Sequence, residues 1–369
     1  MPNVAPSPGI ALALSGGGFR ATLFHLGSLW RLNEMGWLPR LKVITSVSGG
    51  SITAGYLGIR WKAFDFDKQG IAVNFEETIV KPVRRFCRDN YDVWAGALGM
   101  LPGVSGGDVV ARGYRKHLFG DATLQELPDE ASAPRFILYA TSLQTGASVR
   151  FSKTFLRDYK VGRIDNPTVA MSKVVAASSA FPPVLSPVNV EVNPGDWLRE
   201  EGNVHHDEPN LKKKLVLTDG GVYDNMGLEA VFDRYETVLV SDAGAPFDLD
   251  RSPSGAWLSI ATRALLIASE QTRALRKRWL IKDYKAGVRK GSYWGIATHI
   301  NDYDLSDAMT QDSDQTAHLA RVRTRLNKFE DVEQEQLINW GYALTDAAMR
   351  RHVSPQTPRG AWPCSSRAL

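Results

Sequence analysis

The chain has 369 residues, a net charge of +4, and 43% hydrophobic residues. This length and composition are typical of a globular protein with a substantial core, and so small a charge does not indicate a nucleic-acid partner. The two cysteines, Cys87 and Cys364, lie far apart, which argues against a disulfide framework and favours a reducing compartment. The sequence shows no signal-peptide pattern and no bilayer-spanning apolar run. We therefore expect a cytoplasmic protein, with peripheral membrane contact left open.

The first recognisable unit is a strand, a glycine-rich loop and a helix. Residues 10–14 are apolar, Gly16, Gly17 and Gly18 follow, and apolar residues then recur at helical spacing from Phe19. Consecutive glycines let backbone N–H groups point outward together, and the amino end of a helix adds partial positive charge. We therefore expect this loop to bind an anion or a transient oxyanion. Nucleotide binding is disfavoured because both glycine-rich nucleotide-binding patterns are absent.

The second unit has the same order and carries a serine in its loop. An apolar strand over residues 43–47 leads into Ser48, two glycines follow, and a helix is predicted from about Ser51 to Trp61. Such a sharp turn holds a serine hydroxyl clear of the backbone, although serine and glycine also cluster in ordinary turns. Two successive units of this kind predict parallel strands. The glycine loop and Ser48 should thus be neighbours at one edge of a sheet.

An apolar loop separates the next two predicted helices. The helices are expected over residues 74–90 and 109–118. Between them, residues 91–107 combine large apolar side chains with glycines. This composition fits either a packed loop or a mobile flap over the site.

The middle of the chain carries an aspartate in a third turn that contains glycines. Paired strands are predicted at residues 135–142 and 148–152, and a helix over residues 166–177. Residues 191–214 are polar and are expected to form a surface insertion. The strand that follows ends at Asp219, and the two glycines after it indicate a tight turn that aims the carboxylate into a cleft.

The remainder of the chain is predicted to be mainly helical. Helices are expected over residues 225–235, 257–284 and 333–351, and strands over residues 237–241 and 291–300. The helix over residues 257–284 is rich in arginine and lysine. That pattern is typical of a solvated outer helix, and also of a surface that lies on anionic lipid headgroups. The tail, residues 354–369, is predicted to be disordered.

Three motifs taken together resemble those of patatin-like phospholipases. They are Ser15-Gly16-Gly17-Gly18-Phe19-Arg20, Ser46-Val47-Ser48-Gly49-Gly50 and Asp219-Gly220-Gly221. In order and spacing they match the glycine-rich loop, the nucleophile elbow and the D-G-G motif of that family. Ser46 stands where the elbow pattern has glycine, a conservative change in size. The resemblance covers about residues 9–245, and we expect a single domain over residues 9–350.

The resemblance implies a three-layer α/β/α acyl hydrolase with a mainly parallel central sheet. Carried over by motif, Ser48 is the nucleophile and Asp219 the general base of a Ser–Asp dyad. Gly16, Gly17 and Gly18 are implied to present the amides of an oxyanion hole.

The chemistry of such a site can also be argued from the residues alone. A serine hydroxyl becomes a good nucleophile when a base takes its proton, and a carboxylate with a raised pKa can do so. Preorganised amides then stabilise the tetrahedral intermediate. If Asp219 is not the base, Asp224 and Asp242 are the alternatives. A triad in the order serine, acid, histidine would instead use His299 or His318.

The substrate implied by the resemblance is a fatty-acyl ester of a phospholipid or lysophospholipid. Arg20 matches the basic position after the glycines, and it or the basic helix is expected to hold the phosphate. Triacylglycerol or a simple ester would leave the same motifs, so a lipase or general carboxylesterase is an alternative. A non-catalytic lipid-binding module is another, although retention of Ser48 and Asp219 argues against it. We expect no cofactor and no metal, and therefore calcium-independent catalysis.

Overall fold

The structure is a computed structural model that describes residues 6–91 and 105–369. Its described strands all belong to one sheet and are numbered in chain order. They are β1 Ser7–Leu14, β2 Leu41–Val47, β3 Arg135–Ser142, β4 Ser148–Phe151, β5 Phe155–Asp158, β6 Gly162–Asp165, β7 Val188–Glu191, β8 Trp197–Leu198, β9 Lys214–Asp219, β10 Tyr235–Asp242 and β11 Lys290–Gly295.

The described α-helices are numbered in the same way. They are α1 Gly18–Glu34, α2 Gly49–Arg60, α3 Lys81–Phe86, α4 Gly106–Tyr114, α5 Met171–Ser179, α6 Pro209–Lys213, α7 Gly221–Asp224, α8 Trp257–Lys285, α9 Asp314–Leu319 and α10 Asp331–His352. A π-helical turn, Glu76–Val80, precedes α3, and another, Arg115–Phe119, follows α4. The predicted helices in this region are therefore present with shifted boundaries.

The sheet has a parallel half and an antiparallel half. Strands β11, β10, β1, β2 and β3 lie side by side in that order and run parallel. From β3 onward every pairing is antiparallel, through β4, β5, β6 and β8 on one path and through β9 and β7 on another. Because β1, β2 and β10 are parallel, the loops that follow them share one edge of the sheet.

Strands β2 and β9 meet head to head beside β3. Strand β2 pairs with β3 as far as Tyr139, whereas β9 pairs antiparallel with β3 from Ala140 onward. The other side of β3 is occupied by β4 at the same residues, so β9 must lie on the side of β2. This register brings the end of β9 to the end of β2, and it explains why motifs distant in sequence meet.

The parallel strands separate two apolar cores. Leu12 and Leu14 of β1 pack into one core with α1, α2 and α10, whereas Ala11 and Ala13 pack into the other, to which α8 contributes Leu280. Neighbouring residues of a strand point to opposite faces, so a strand buried on both faces is apolar throughout. Helices on both faces of one large sheet confirm the expected α/β fold class.

One predicted helix is wrong. The sequence predicts a helix over residues 225–235, but the structure has the short α7 followed by turns. The carboxylate of Asp224 accepts hydrogen bonds from the amides of Met226 at 3.1 Å and Glu229 at 2.8 Å, and Gly227 has a φ of 69°. Such local side-chain bonds compete with the helical hydrogen-bond pattern, so the chain turns here instead.

The carboxyl-terminal tail, predicted to be disordered, packs against the body of the protein. The amide of Asn339 donates to the carbonyls of Cys364 at 3.0 Å and Arg367 at 2.8 Å. Arg31 donates to the carbonyl of Pro358 at 2.5 Å. The prediction fails because partners for the tail are buried polar groups on α1 and α10, which the composition of the tail does not reveal.

Two further predicted segments have different outcomes. The surface insertion, residues 191–214, contains β8 and α6, and β8 adds to the edge of the sheet by pairing with β6. The flap predicted for residues 91–107 lies outside the described residues except at its two ends. At those ends Tyr91 stacks on Phe86, and Ser105 caps α4 through a hydrogen bond from the Asp108 amide.

Candidate active site

Ser48 occupies a sharp turn between β2 and α2. Its backbone has φ 52° and ψ −122°, a conformation that costs a non-glycine residue about 1–3 kcal/mol. The Ser48 amide donates to the hydroxyl of Ser178 at 3.0 Å, and that hydroxyl donates in turn to Ser51 at 2.8 Å. These two hydrogen bonds anchor the backbone of the turn. Ser48 thus lies at the amino end of α2, in the strand–turn–helix setting that the sequence predicts.

Asp219 ends β9 beside this turn. Its carboxylate accepts a hydrogen bond from the Gly221 amide at 2.7 Å, and the Ser48 side chain is near enough to lower the pKa of the carboxyl group. The main chain of Asp219 is also anchored, because its amide donates to Ala180 at 3.1 Å and its carbonyl accepts from Thr141 at 2.9 Å. The structure therefore brings together the serine and the aspartate that the sequence singles out.

The surroundings of Asp219 raise its pKa to about 7. Burial is the main cause, since removal from water disfavours the charged carboxylate. The hydrogen bond from Gly221 and the nearby Ser48 side chain act in the opposite direction and offset part of the rise. A carboxyl group with a pKa near neutrality can both take up and release a proton at physiological pH, which is the property that a general base requires.

The glycine loop lies directly against Ser48. A methyl group on Gly16 would lie 3.0 Å from Cβ of Ser48, so the missing side chain leaves room for the serine. Gly17 and Gly18 have φ values of 141° and 57°, and α1 begins at Gly18 without an acidic residue in its first turn. Among residues 6–91 and 105–369, no acceptor pairs with the amides of Gly17 and Gly18. These two amides can therefore receive a negative charge that develops nearby.

One predicted oxyanion donor is already engaged. The Gly16 amide donates to the backbone carbonyl of Asn225 at 3.0 Å. A single N–H group that is held by this carbonyl does not also serve an oxyanion. The role predicted for Gly16 is therefore corrected: this residue contributes space for Ser48 rather than a hydrogen-bond donor.

Arg20 does not reach the cleft. Its side chain is fully buried, and burial lowers its pKa to about 10. The guanidinium donates to three backbone carbonyls, those of Ala320, Val322 and Ala243, at 3.3, 2.8 and 2.6 Å. The predicted contact with a substrate phosphate is wrong, because the charge points into the protein. Arg20 instead ties α1 to the segments that follow α9 and β10.

A buried histidine forms a hydrogen bond to the residue that precedes the three glycines of the loop. Nε2 of His25 lies 2.9 Å from the Ser15 carbonyl, and Nδ1 lies 2.8 Å from the Ser241 hydroxyl. Since a carbonyl only accepts, Nε2 donates and Nδ1 accepts from Ser241. Burial lowers the pKa of His25 to about 4, so the ring is neutral at physiological pH. This histidine connects the loop to β10.

The alternative acids are engaged elsewhere. Asp242 lies 2.9 Å from Arg273 and accepts from the Tyr293 hydroxyl at 2.8 Å. Burial raises its pKa, but the Arg273 charge and the hydrogen bonds outweigh that effect and hold the pKa below its usual value. Asp224 lies 3.5 Å from Arg276, and burial raises its pKa. Both carboxylates are held by arginine side chains of α8.

The alternative histidines are both exposed. His299 lies 3.6 Å from the Asp312 carboxylate, and His318 belongs to α9. In the described part of the chain, neither forms a hydrogen bond or ion pair with Ser48 or Asp219. The geometry therefore favours a dyad over a triad.

Two residues at the site are not singled out by the sequence. Ser178 holds the Ser48 amide, and its place in a serine pair a few residues before Pro182 and Pro183 is a local signal of it. Asn225 lies between the glycine loop and the D-G-G turn, since a methyl group on Gly221 would lie 2.6 Å from its Oδ1. The nearness of Asn225 to the D-G-G motif in the sequence is a signal that could have found it.

Three further observations concern metals, membranes and cysteines. No group of three or more His, Cys, Asp or Glu side chains in residues 6–91 and 105–369 is arranged to hold a metal ion. Within those same ranges, no helix combines the length and apolarity needed to cross a bilayer. Cys87 and Cys364 are free thiols, and both are buried.

Comparison with known proteins identifies the family. The family model of patatin-like phospholipases matches residues 12–232. The chain belongs to the patatin-like phospholipase family. The resemblance drawn from the three motifs is thereby confirmed, and the matched segment contains the glycine loop, Ser48 and Asp219. No curated protein sequence matches the chain.

The solved structures that match this chain are distant from it in sequence. Human GIVD cytosolic phospholipase A2 is 13% identical with a TM-score of 0.55, and the match covers 92% of this chain and 59% of that one. The same human enzyme in complex with methyl gamma-linolenyl fluorophosphonate is 15% identical with a TM-score of 0.50, over 92% and 57% of the two chains. VipD from Legionella pneumophila is 14% identical with a TM-score of 0.36, over 93% and 66%. This chain therefore spans about 59% of the length of the human structure.

Proposed function

We propose that this protein is a lipid acyl hydrolase that cleaves fatty-acyl esters of phospholipids or lysophospholipids through a Ser48–Asp219 dyad. The observation that carries the proposal is the place of Ser48 beside a buried Asp219 carboxyl, where β2 and β9 meet, together with the rise in the pKa of that carboxyl to about 7. Membership of the patatin-like phospholipase family supports the lipid class of the substrate.

The first half of the reaction forms an acyl-enzyme. Ionised Asp219 takes the proton of the Ser48 hydroxyl as the oxygen attacks the ester carbonyl carbon. The negative charge of the tetrahedral intermediate develops beside the free amides of Gly17 and Gly18 at the amino end of α1. When the intermediate collapses, the bond to the alcohol breaks, and Asp219 returns the proton to that leaving oxygen.

The second half releases the fatty acid. A water molecule gives its proton to Asp219 and attacks the acyl carbon, and the same two amides stabilise the second tetrahedral intermediate. When this intermediate collapses, the bond between the acyl carbon and the Ser48 oxygen breaks, and Asp219 returns its proton to that oxygen, which restores the Ser48 hydroxyl. The steps use only residues of this chain and no metal, so calcium independence is part of the proposal.

The proposal also includes a reducing compartment for the protein and contact of the protein with a lipid surface. The two free thiols support a cytoplasmic location, because oxidising compartments favour disulfides. Peripheral contact with a membrane is proposed because long-chain phospholipids reside there.

Fatty-acid release from mixed phospholipid vesicles tests the proposal. The purified chain is assayed with calcium chelated throughout, beside Ser48→Ala, Asp219→Ala and the exposed control Ser132→Ala. We expect release by wild type and Ser132→Ala, and a loss of at least about 1000-fold in both dyad variants. Full release by Asp219→Ala would refute the dyad.

A short-chain acyl ester distinguishes the alternatives. Turnover of this ester without release from vesicles would indicate a general carboxylesterase. Release from triacylglycerol emulsion alone would indicate a lipase. Vesicle binding by a wild type that hydrolyses none of the three substrates would indicate a non-catalytic lipid-binding module.

A further inference from the structure

Over most of its length, helix α8 is amphipathic in the reverse of the usual sense. Of its 29 described residues, only Leu280 is buried, and Ile281 and Tyr284 pack beside it on the core. Before these last turns, the side that faces the body is charged, with Arg273 on Asp242 at 2.9 Å and Arg276 on Glu229 at 3.1 Å. The usual outer helix of a soluble protein places apolar residues inward and charges outward. The reversal indicates that the outer side has a partner of its own.

The solvent-facing side of α8 carries five large apolar residues among small and polar ones, and we call this row of residues the outer stripe. At 100° per residue its members fall within about one third of the helix circumference. They are Trp257, Ile260, Ala264, Ile267, Gln271, Leu275, Arg278, Trp279 and Lys282. Trp257 is 79% exposed and Trp279 is 58% exposed. The stripe from Trp257 to Trp279 is about 33 Å long.

The outer stripe begins beyond the edge of the sheet that holds the candidate active site. The Tyr284 hydroxyl donates to the Val238 carbonyl, and Arg273 contacts Asp242, the last residue of β10. Helix α8 therefore runs antiparallel to β10, and residues 257–272 continue for about 24 Å past the end of the strand. Because β10 is parallel to β2, this projection lies on the same side as Ser48.

The composition of the stripe fits a lipid surface. It contains two tryptophans, which favour the interface between water and lipid, and two cations but no acidic residue. Apolar residues would enter the acyl region, while Arg278 and Lys282 would meet anionic headgroups. A second copy of the stripe is a poorer partner, because a two-fold interface would bury like charges of both copies, and Arg278 and Lys282 form no ion pair with the described residues.

From these observations we infer that the outer stripe of α8 is a membrane-docking surface that holds the enzyme on anionic lipid. This inference rests on the proposed lipid substrate. It assigns to α8 the role of keeping the site edge of the sheet at the bilayer surface. The basic residues confer the preference for anionic lipid, and the apolar residues insert into the acyl region of the bilayer.

Flotation with vesicles of phosphatidylglycerol and phosphatidylcholine tests the inference. The full chain is used in the Ser48→Ala background, so that no lipid is consumed during the measurement. Ile267→Glu/Leu275→Glu places two charges in the stripe. The control, Val73→Glu/Val204→Glu, places two charges at apolar residues elsewhere that are 64% and 73% exposed, more than the 46% and 44% of the stripe residues.

We expect the stripe variant to bind anionic vesicles at least tenfold more weakly than the parent, and the control variant to bind as the parent does. Arg278→Gln/Lys282→Gln should lose the preference for phosphatidylglycerol over pure phosphatidylcholine. With Ser48 restored, both glutamate variants should hydrolyse a soluble short-chain ester at the parental rate, which shows that folding and chemistry are intact.

Equal vesicle binding by the stripe variant and the control would overturn the inference, as would the absence of binding by the parent. A parent that is dimeric by light scattering, and that becomes monomeric in the stripe variant, would assign the stripe to an interface between copies instead. Failure of the proposed hydrolase function is measured separately. It would appear as the absence of ester turnover by the protein that carries Ser48.

Discussion

At the scale of single residues, the protonation of Asp219 is expected to govern both chemistry and stability. In its proposed role as general base, Asp219 acts only when ionised, and the pKa of its carboxyl group is raised to about 7. We predict that kcat/KM on a soluble ester rises about tenfold per pH unit below 7 and levels off above it. Initial rates between pH 5 and 9 measure the profile. A flat profile across that range would exclude Asp219 as the base.

The same raised pKa predicts a gain in stability when the charge is removed. Unfolded Asp219 ionises near pH 4 and folded Asp219 near pH 7, so the folded state binds more protons in between and loses stability as pH rises. Asp219→Asn should therefore be more stable than wild type by a few kcal/mol at pH 8, since each pKa unit corresponds to about 1.4 kcal/mol.

Urea unfolding at pH 4, 6 and 8 checks this expectation. The advantage of Asp219→Asn should be small at pH 4, grow through pH 6 and be constant above pH 7. The exposed control Asp196→Asn should show no such trend. An advantage that is equally large at pH 4 would mean that the change acts through packing rather than through the charge.

Arg20 is predicted to stabilise the fold rather than to bind substrate. Arg20→Met leaves three buried carbonyls without their donor, so we expect the free energy of unfolding to fall by about 3 kcal/mol or more. Turnover of a phospholipid and of a neutral short-chain ester should fall by the same factor. Denaturant unfolding and the ratio of the two rates measure these effects. A selective loss on the phospholipid would restore the substrate role.

The sequence reveals residue types at the site more readily than their directions. Ser48 and Asp219 are found because glycines around each announce a tight turn. Gly16 and Arg20 belong to equally recognisable motifs, yet the Gly16 amide and the Arg20 guanidinium point away from the cleft. Their partners are backbone carbonyls, which every residue carries, so no pattern in the sequence identifies them.

At the scale of elements, the close approach of two helix-opening turns defines the site. A methyl group on Gly49 would overlap the carbonyl of Gly18, so α1 and α2 touch where they begin. Gly18 itself has a φ of 57° and would bring a methyl group into the backbone at Thr324. Glycine is thus required by space at both positions, and at Gly18 by backbone conformation as well.

Substitutions in the glycine loop should separate catalysis from folding. In Gly16→Ala the atoms nearest to the new methyl group belong to the side chains of Asn225 and Ser48, so we expect a folded protein with at least tenfold lower kcat. Gly18→Ala should instead lower the free energy of unfolding by more than 2 kcal/mol, because its methyl group meets backbone. Circular dichroism melts and ester turnover measure both.

Gly146→Ala is the matched control for Gly18→Ala. Gly146 has a similar φ of 66° but open space around its Cα, so it should lose only the conformational cost of about 1–2 kcal/mol. Equal destabilisation by the two substitutions would show that crowding at Gly18 is unimportant.

The prediction of helices and strands succeeds where a segment has one clear pattern of apolar residues. Strands β1, β2 and β3 are apolar on both faces and are read correctly, as is the long α8. The helix expected over residues 225–235 fails, because the Asp224 carboxylate binds two nearby amides and Gly227 turns the chain. Propensity over a window does not register such local bonds.

At the scale of the whole molecule, the carboxyl-terminal tail closes the layer formed by α1 and α10. Buried Asn339 donates to two tail carbonyls and accepts from the Cys364 amide at 3.1 Å. We predict that removal of residues 354–369 lowers the free energy of unfolding by about 2–4 kcal/mol, because these buried groups lose their partners. Thermal melts of the full and shortened chains measure the effect.

Asn339→Ala provides the control for this truncation. If the two changes remove the same contacts, their combination should be less destabilising than the sum of the single effects. An unchanged melting temperature on truncation would contradict the packed tail.

The sequence predicts only those parts of the overall architecture that follow from the alternation of strands, loops and helices. Two strand–loop–helix units predict the parallel sheet and the shared edge of the glycine loop and Ser48. The arrival of Asp219 opposite Ser48 depends on the antiparallel register of β9 on β3, a pairing of distant segments that no local pattern encodes. Here the family resemblance, rather than periodicity, joins the third motif to the first two.

Covalent labelling by a fluorophosphonate most directly tests the central claim that Ser48 is a nucleophile activated by Asp219. The reagent is attacked by an activated serine with loss of fluoride, and intact mass with peptide mapping locates the adduct. We predict one adduct per chain on Ser48, none on Ser48→Ala, and labelling at least about 100-fold slower on Asp219→Ala. An adduct on another serine, or undiminished labelling of either variant, would contradict the dyad.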